Sequence, residues 1–551
     1  MQSLYDSTDG LNWYQSDWFQ DDSPCGWYGI SCGGGHVQAI DLHSNQLAGF
    51  IPSDVSELIF LLSLKLNNNR LTGNIPKEIG LLQQLNTLDL GENDLDGSIP
   101  AELGNLRNLK ILRLDHNRLI GSLPNELLNL AEMQELNLSA NQLAGPLPSE
   151  LDKLGKLRAL DLQANQLSGK LPASLGTLKN LEFLYLNFNQ FDGSIPTELA
   201  GLDQLQELDL HLNRLTGNIP DQLGSLKNLV WLHLNSNLLS GGIPPELGSL
   251  HKLQQLHLQE NQLNDSIPDE IAELGELQDL MLYGNQLSGS IPPELGDLEK
   301  LRLLYLGSNQ LSGEIPTEFG QLSNLEVLSL PNNQLAGSIP GNLGNCIHLR
   351  LIYLDGNKFD TTLPDELVNL ANLQIFDISH NIFSGMFPDS ILVALEDDPN
   401  YWKYIDIGYN EFVADDQHIT ELISSRDPDW VGTQTIPPTD LQAQPDSGTI
   451  LITWTPIPYI EHGGYYEVSM SEQGGPYIVI GNTIDKSTNQ YIVQDISPSS
   501  TYTIRLRTYT PAHGQQKNEL WSDYTSSVSV TTPNSWNTSP PLQIYIPFVK
   551  K

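Results

Sequence analysis

Basic residues are scarce in this chain. Its 551 residues include 27 Lys and Arg against 67 Asp and Glu, which gives a net charge of -40 and a pI near 4.4. Nucleic acids and anionic membranes are bound through basic side chains that neutralise phosphate, so this composition disfavours both as partners. Charged residues make up only 17% of the chain, which is typical of a folded acidic protein and not of a disordered acidic tail.

Long apolar runs and enzyme signatures are also missing. No apolar run approaches the ~20 residues that a membrane-spanning helix requires. The N-terminal segment lacks the basic start and apolar stretch of a signal peptide. There is no nucleophile elbow, no phosphate-binding glycine loop and no H-E-x-x-H motif. The sequence therefore predicts neither an enzyme nor a bound cofactor.

Cysteine is rare, and two of the three cysteines, Cys25 and Cys32, stand seven residues apart in CGWYGISC. A redox pair more typically has the spacing C-x-x-C. A zinc site would need two further ligands, and His36 is the only nearby candidate. From these residues alone, a redox pair, half a metal site and a structural disulfide are the alternatives.

A strict 24-residue repeat dominates the rest of the chain. One unit reads LNTLDLGENDLDGSIPAELGNLRN, and a proline stands seven residues after each asparagine of the series. These asparagines are Asn45, Asn69, Asn93, Asn117, Asn141, Asn165, Asn189, Asn213, Asn237, Asn261, Asn285, Asn309, Asn333, Asn357 and Asn381, and an irregular unit follows at Asn410.

The role of each repeated residue can be read from one unit. Leu85, Leu88 and Leu90 alternate with polar residues, as in a short half-buried strand. Asn93 follows the strand, where its amide can bond backbone groups that the turn would otherwise leave unpaired. One unit cannot bury its leucines alone, so stacked units must share a continuous core and a parallel sheet.

The pattern LxxLxLxxNxLxGxIPxxLGxL resembles the plant-specific class of leucine-rich repeat, found in plant receptor ectodomains and in some bacterial surface proteins. The resemblance covers residues 37–410, about 16 units. It implies an α/β solenoid with parallel strands on its concave side and extended or 3-10 segments on its convex side. Cys346 fills a leucine position, so we expect a buried thiol. The paucity of glycosylation sequons favours a bacterial source.

Residues 1–36 resemble the N-terminal cap of the same family, whose signature is C-x-W-x-G-[VI]-x-C. The matching residues are Cys25, Trp27, Gly29, Ile30 and Cys32. The resemblance implies a structural disulfide between Cys25 and Cys32, and hence a secreted or cell-surface protein. We therefore expect Met1 to be an internal residue of a longer reading frame that carries the export signal.

A different pattern follows the repeats. Residues 411–436 predict a short helix and a strap that close the last repeat, and residues 437–533 contain short alternating strands typical of a β-sandwich. Trp454 and Tyr502 resemble the core tryptophan and the corner tyrosine of a fibronectin type III domain, for which we expect a spacer role. The tail, residues 534–551, holds an apolar patch too short to span a membrane.

Candidate ligand-binding residues lie on the solvent-facing side of the predicted strands, which the resemblance places on the concave face. Aromatic, histidine and methionine side chains cluster in its middle: Phe183, Tyr185, Phe188, His211, Trp231, His233, His257, Met281, Tyr283 and Tyr305. Exposed aromatic residues supply a large contact area at low entropic cost, so we expect a binding surface here. The alternative is that the β-propensity of aromatic residues alone explains the cluster.

Three histidines fall close together on this face. His233 and His257 occupy equivalent positions on adjacent strands, and His211 lies diagonal to His233. Three imidazoles would suit zinc or copper, but no carboxylate completes the set at ideal spacing, so we predict no metal site. Low pH would charge this cluster and weaken a bound ligand.

Together these features favour an extracellular, non-catalytic recognition or adhesion protein that binds a protein, peptide or glycan on the concave face. The first alternative is an inhibitor of a secreted hydrolase, because an acidic face would suit a basic enzyme. The second is a receptor ectodomain that lacks its membrane anchor.

Overall fold

The computed structural model describes residues 1–20, 23–398, 401–414 and 417–534. The predicted tail lies outside the described residues beyond Asn534. The chain forms two compact units, one of Met1–Ser312 with Glu318–Leu328 and one of Gly313–Thr317 with Ser329–Lys551. Each is described by itself.

Short strands just before the repeated asparagines form a first row, in which neighbouring strands pair in parallel and in register, for example Leu160 with Leu184. The alternating leucines of each strand point into the core, and those of the middle repeats are fully buried. The first-row strands are His36–Asp41, Ser63–Lys65, Thr87–Asp89, Ile111–Arg113, Glu135–Asn137, Ala159–Asp161, Phe183–Tyr185, Glu207–Asp209, Trp231–His233, Gln255–His257, Asp279–Met281, Leu303–Tyr305, Val327–Ser329, Leu351–Tyr353, Ile375–Asp377 and Tyr404–Asp406.

A second row of strands follows the asparagines. These strands are Ala48–Gly49, Arg70–Asn74, Asp94–Asp96, Ile120–Gly121, Gln142–Gly145, Gln166–Lys170, Gln190–Gly193, Arg214–Gly217, Leu238–Gly241, Gln262–Leu263, Ser288–Ser290, Gln310–Gly313, Gln334–Gly337, Lys358–Phe359, Ser384–Gly385 and Glu411–Phe412. Glycine ends most of them with a positive φ, such as +88° at Gly145. Only glycine adopts this conformation without steric cost, which explains its regular recurrence.

The return path of each repeat is a single 3-10 turn that begins after the repeated proline. The turns are Ser53–Glu57, Lys77–Leu81, Ala101–Asn105, Asn125–Asn129, Leu151–Leu154, Ala173–Thr177, Thr197–Gly201, Asp221–Ser225, Pro245–Ser249, Asp269–Glu273, Pro293–Asp297, Thr317–Gln321, Gly341–Asn345 and Asp365–Asn369. The predicted class, an α/β leucine-rich-repeat solenoid of parallel strands with extended and 3-10 segments opposite them, is thus confirmed. Cys346 is buried as its leucine position predicts, and burial raises the pKa of its thiol to about 11.

A ladder of buried asparagine side chains links adjacent repeats. Asn165 Nδ2 donates to the carbonyl oxygens of Leu162 and Gln163 in its own repeat, both at 3.2 Å. It also donates to Leu138 O of the preceding repeat at 3.0 Å, while its Oδ1 accepts the N–H of Leu143 at 2.9 Å. Asn165 therefore satisfies four backbone groups and joins two repeats.

The ladder is joined to the flanking segments at both ends, and at the C-terminal end a glutamine takes the place of the asparagine. Asn45 exchanges hydrogen bonds with the backbone of Gln15 in the cap, at 2.7 and 2.9 Å. After Asn410, Gln434 Oε1 accepts the N–H of Phe412 at 2.9 Å, and its Nε2 donates to Ile407 O at 3.0 Å. The ladder thus ends on the segments that flank the repeats.

The N-terminal cap combines the helix Gln2–Ser7, the 3-10 turns Gly10–Asn12 and Pro24–Gly26, and the strand Ile30–Gly33, which pairs antiparallel with the first row. Trp13, Trp18 and Trp27 are buried and pack edge to face or tilted against one another. Cys25 and Cys32 form the disulfide that the resemblance implies, with their Cα atoms 5.5 Å apart. The structural disulfide, and not a redox pair or half of a metal site, is therefore the role of these two cysteines.

The last repeats depart from the 24-residue spacing. The helix Asp389–Asp397 replaces a 3-10 turn there, and its Ile391 and Leu395 are buried. The helix Gln417–Ser424 and the 3-10 turn Trp430–Thr433 then cover the end of the stack. Among the described residues, no helix is long and apolar enough to cross a membrane.

The C-terminal part is an antiparallel β-sandwich. Its strands are Thr439–Asp446, Thr449–Thr455, Tyr465–Glu472, Ile478–Asn482, Gln490–Val493, Thr501–Thr510, Leu520–Trp521 and Val528–Thr531. Trp454 and Tyr502 are buried in its core, at 5% and 3% exposure. The Tyr502 hydroxyl accepts the N–H of Ser497 at 3.1 Å and donates to Glu472 at 3.0 Å.

The sandwich lies directly against the last repeats. Gln516 Nε2 donates to Asn381 O and Tyr409 O, at 3.2 and 2.8 Å, and Asn518 Nδ2 donates to Asn357 O at 2.5 Å. Two amides from one loop thus bond the backbone of consecutive repeats. The predicted spacer role does not anticipate these contacts.

Removing one asparagine of the ladder should lower the stability of the protein strongly. Substituting Asn165→Ala leaves four buried backbone groups with one partner fewer, and each such group costs about 1–3 kcal/mol. We expect the free energy of unfolding, measured by urea denaturation, to fall by at least about 3 kcal/mol. The matched control is Asn180→Ala, because Asn180 donates one exposed bond to Gly155 O. Equal losses in the two variants would contradict the structural role of the ladder.

Candidate functional site

We call the solvent-facing side of the first-row strands the strand face. Its ten predicted ligand-binding residues all belong to the first unit, and the structure places them on six consecutive strands and their exits. Phe188 and Trp231 are the most exposed, at 50% and 36%, and the other eight are partly buried by their neighbours. The predicted residues therefore form one contiguous surface.

Stacked rings form the centre of this surface. The imidazoles of His233 and His257 stack at 4.2 Å between centroids with 5° between their planes. Trp231 lies parallel to His233 at 6.2 Å, and Phe188 meets His211 edge to face at 4.9 Å. The parallel register of the strands brings His233 and His257 together, since it sets residues of one column side by side.

A carboxylate joins two of the histidines. Asp209 Oδ1 accepts a hydrogen bond from His211 Nδ1 at 2.5 Å, and Asp209 Oδ2 lies 3.7 Å from His233 Nδ1. Burial opposes ionisation of Asp209, but the bonds from the two histidines outweigh it and lower its pKa to about 2. Asp209 therefore carries a negative charge at every physiological pH.

Flanking aromatic residues are also paired with acidic or aromatic neighbours. The Tyr185 hydroxyl donates to Glu207 Oε2, and burial followed by this carboxylate raises the pKa of Tyr185. Phe183 stacks with Tyr185 at 6.4 Å, and Tyr283 meets Tyr305 at 6.3 Å. Phe183 and Tyr185 border a concavity of about 230 Å³ on this face.

Several polar atoms on the strand face lack a hydrogen-bond partner although they are buried. They include Asn187 Oδ1, Asp279 Oδ1 and His257 Nε2. Burial raises the pKa of Asp279, and burial together with the nearby His233 lowers the pKa of His257 to about 4. Asn187 Oδ1 and the ionised Asp279 Oδ1 can only accept hydrogen bonds, so a ligand would have to supply the donor.

Sequence reasoning missed the acidic members of this surface. In an acidic chain, Asp209 and Glu207 are not distinguished from solubilising charge, yet Asp209 bonds the His211 ring and Glu207 accepts a hydrogen bond from the Tyr185 hydroxyl. The signal was present, because Asp209 lies in the same column as His233 on the adjacent strand. Within the described part of the chain, no group of three or more His, Cys, Asp or Glu residues is arranged to hold a metal ion.

A second concavity lies on the Ile-Pro segments of three repeats and has a volume of about 760 Å³. Gly242 lacks the side chain that most repeats carry at this position, and Asp265 reaches over it, with Oδ2 3.2 Å from the position of a Cβ. Asp221, Glu246 and Glu270 also line the concavity. It contains none of the predicted ligand-binding residues.

Matches to family models agree with the fold. The Fibronectin type III domain model matches residues 436–523, and a Leucine rich repeat model matches residues 107–167. A further Leucine Rich Repeat model matches eleven segments: 60–82, 84–106, 180–202, 204–226, 228–250, 252–274, 276–298, 300–322, 324–346, 348–370 and 372–393. The chain belongs to the leucine-rich-repeat family and carries a C-terminal fibronectin type III domain.

Solved structures of plant receptor ectodomains and of bacterial repeat proteins are similar to this chain. The plant peptide hormone receptor RGFR1, in complex with RGF2, is 33% identical with a TM-score of 0.64, over 70% of this chain and 65% of that one. The chain thus spans slightly less than two thirds of that receptor. The Arabidopsis receptor kinase HAESA, in complex with the peptide hormone IDA and the co-receptor SERK1, is 33% identical with a TM-score of 0.60, over 71% and 70%.

A match to a bacterial protein covers almost the whole length of that protein. A leucine-rich-repeat protein of Leptospira interrogans is 33% identical with a TM-score of 0.56, and the match covers 71% of this chain and 93% of that one. A search of curated protein sequences returned no significant match.

The buried position of His257 predicts an unusual titration. Because its pKa lies near 4 in the folded protein and near 6.5 in an unfolded chain, the folded state binds this proton less readily. His257 should therefore stay neutral until about pH 4, and its contribution to stability should fall as the pH drops below about 6.5. Selective NMR titration of the histidine ring protons measures this pKa. A midpoint near 6.5 would contradict the burial described for this ring.

Proposed function

We propose that this protein is a secreted or cell-surface, non-catalytic recognition protein whose strand face binds an extended peptide segment that carries cationic side chains. The observation that carries this proposal is the joint occurrence of exposed aromatic rings and partnerless buried acceptors on one surface. Aromatic anchors in such a setting are the residues that dominate binding energy at protein interfaces. The disulfide in the cap supports an oxidising compartment.

Charge selects the class of ligand. The strand face between Ala159 and Gly307 carries Asp161, Glu207, Asp209 and Asp279, and its three outward columns contain no Lys or Arg. A guanidinium or ammonium group brings the N–H donors that the unpartnered acceptors require, and it also stacks on Trp and Tyr rings. A neutral glycan would satisfy the acceptors but would add no positive charge to match the net negative charge of these columns.

The related structures support a peptide as the occupant. Two of the plant receptors similar to this chain were solved in complex with peptide hormones. From these complexes we infer for this chain only that its ligand is a peptide. An inhibitor of a basic secreted hydrolase is the alternative, and the same acidic face would serve it.

The test is a binding titration with three peptides of equal length and aromatic content, one basic, one neutral and one acidic. Each aromatic contact is worth about 1 kcal/mol, so the Tyr185→Ala, Trp231→Ala, Tyr283→Ala triple variant should weaken binding of the basic peptide at least about tenfold. Asp279→Asn should weaken the basic peptide more than the neutral one, because it removes a charge without changing shape.

The control is the Phe50→Ala, Leu81→Ala variant, which truncates exposed apolar side chains away from the strand face and should leave binding unchanged. Equal binding by the triple variant and the parent would refute the strand face as the site. If the parent binds the acidic peptide tightly and the triple variant does not, the strand face is the binding site but its ligand is not cationic. Inhibition of a basic hydrolase by the parent but not by the triple variant would favour the alternative function.

A further inference from the structure

One column of outward side chains on the strand face contains an unfilled notch and, among the described residues, a carboxylate oxygen without a hydrogen-bond partner. The column consists of the residue six positions before each repeated asparagine, and the parallel register sets its members side by side on consecutive strands. In order along the stack, six of its members are Ala159, Phe183, Glu207, Trp231, Gln255 and Asp279. The notch lies over Ala159, and the carboxylate belongs to Asp279.

The notch exists because Ala159 has the shortest side chain of these six residues. It is the concavity of about 230 Å³ that Phe183 and Tyr185 border, and Glu135 of the preceding strand lines its other side. Since a water molecule takes up about 30 Å³ of liquid, the notch is large enough for one amino-acid side chain.

The two carboxylates around the notch already have partners. Glu135 accepts two hydrogen bonds from Arg113, at 2.5 and 3.0 Å. Asp161 accepts two from Gln163, at 3.1 and 3.2 Å. An apolar side chain therefore suits the notch, because it packs on the Ala159 methyl group and the two aromatic rings and leaves these hydrogen bonds intact.

The carboxylate of Asp279 differs from these two. Its Oδ1 is buried and makes no hydrogen bond to the described residues, although the side chain as a whole is partly exposed. Arg302, whose positive charge acts on Asp279, is itself bonded to Glu326 at 2.7 Å. Burial raises the pKa of Asp279. A cationic ligand group would therefore supply both a hydrogen-bond donor and a counter-charge.

The ring of Trp231 faces along the column, in the direction of Asp279. His233 and His257 belong to adjacent strands and stack face to face at 4.2 Å, so their planes lie across the direction in which the strands follow one another. The Trp231 ring is parallel to His233 within 4° and therefore has the same orientation. Gln255 stands between Trp231 and Asp279, and its Oε1 lies 3.0 Å from His233 Nε2.

The distance between Trp231 and Asp279 suits a guanidinium group. The two residues are two strand spacings apart, which is about 10 Å between their Cα atoms. A guanidinium group has N–H donors on opposite edges of its plane, so one edge can reach the indole face while the other pairs with the carboxylate. The ammonium group of lysine is a compact point charge, so it contacts one of the two but does not bridge both.

We infer that the strand face binds two particular side chains of the proposed peptide ligand, on which this assignment rests: an apolar one in the notch over Ala159 and an arginine between Trp231 and Asp279. The second position is centred over Gln255, four strand spacings or about 19 Å from Ala159. An extended chain advances about 3.3 Å per residue, so the apolar residue and the arginine are about six positions apart in the ligand.

The experiment measures the dissociation constants of fluorescently labelled peptides by anisotropy. The peptides share one composition, with a single leucine and a single arginine that are six or three positions apart. Each spacing is made in both orders, because the two positions do not fix the direction of the ligand chain. We expect the six-residue spacing to bind at least about tenfold tighter than the three-residue spacing in one order, since the second contact is then intramolecular. Replacing its arginine with lysine should weaken binding about fivefold.

Two protein variants test the two positions separately. Ala159→Leu fills the notch, and leucine is compatible with this column because Leu303 occupies it. This variant should abolish the advantage of the six-residue spacing and leave the three-residue peptides within about twofold of the parent. Its matched control is Ala101→Leu, at an exposed alanine of a 3-10 turn, which should behave like the parent. Trp231→Ala should weaken the arginine peptide more than the lysine peptide, because it removes the ring and keeps the charge of Asp279.

Failure of the two assigned positions can be told apart from failure of the proposed function. Equal affinity for the two spacings in both orders would overturn the pairing of the notch with the second position, and equal affinity for arginine and lysine would overturn the arginine. In both cases the proposed function stands if the peptides bind the parent and bind the Tyr185→Ala, Trp231→Ala, Tyr283→Ala variant more weakly. Failure of every peptide to bind the parent would refute the proposed function, and the two assigned positions with it.

Discussion

The buried asparagine amide is the interaction on which the rest of the structure depends. A 24-residue turn of chain cannot close its own hydrogen bonds, because the backbone groups at the strand exit point inward, away from water. One side chain per repeat satisfies them and at the same time reaches the repeat before it. Since two of its four bonds reach the preceding repeat, the amide holds adjacent strands in register, and the outward columns on the strand face follow from that register.

Most of the fold was predictable from the sequence, because repetition multiplies weak signals. A single Leu88 or Asn93 says little, but the same residue at a constant interval defines strand, turn and core together. The helix Asp389–Asp397 was not predicted, because it lies in the one unit whose length departs from the period. The contacts of Gln516 and Asn518 were not predictable either, since they join residues more than a hundred positions apart that no local pattern relates.

The candidate site was predicted in its apolar part and missed in its polar part. Trp231 and Tyr185 stand out because aromatic residues are unusual in exposed columns. Asp209 does not stand out in an acidic chain, and its role appears only when the adjacent strand brings His233 to it. Two of the carboxylates on the strand face, Asp209 and Glu207, are therefore bonded to ring side chains and give this face a negative charge next to its aromatic surface.

The central claim is that ligand binds the strand face and not the acidic concavity on the Ile-Pro segments. The most direct measurement places a photoreactive phenylalanine analogue either at Trp231 on the strand face or at Pro244 in that concavity, and maps cross-links to a bound basic peptide. The account predicts efficient cross-linking from position 231 and background levels from position 244. The reverse pattern would contradict it.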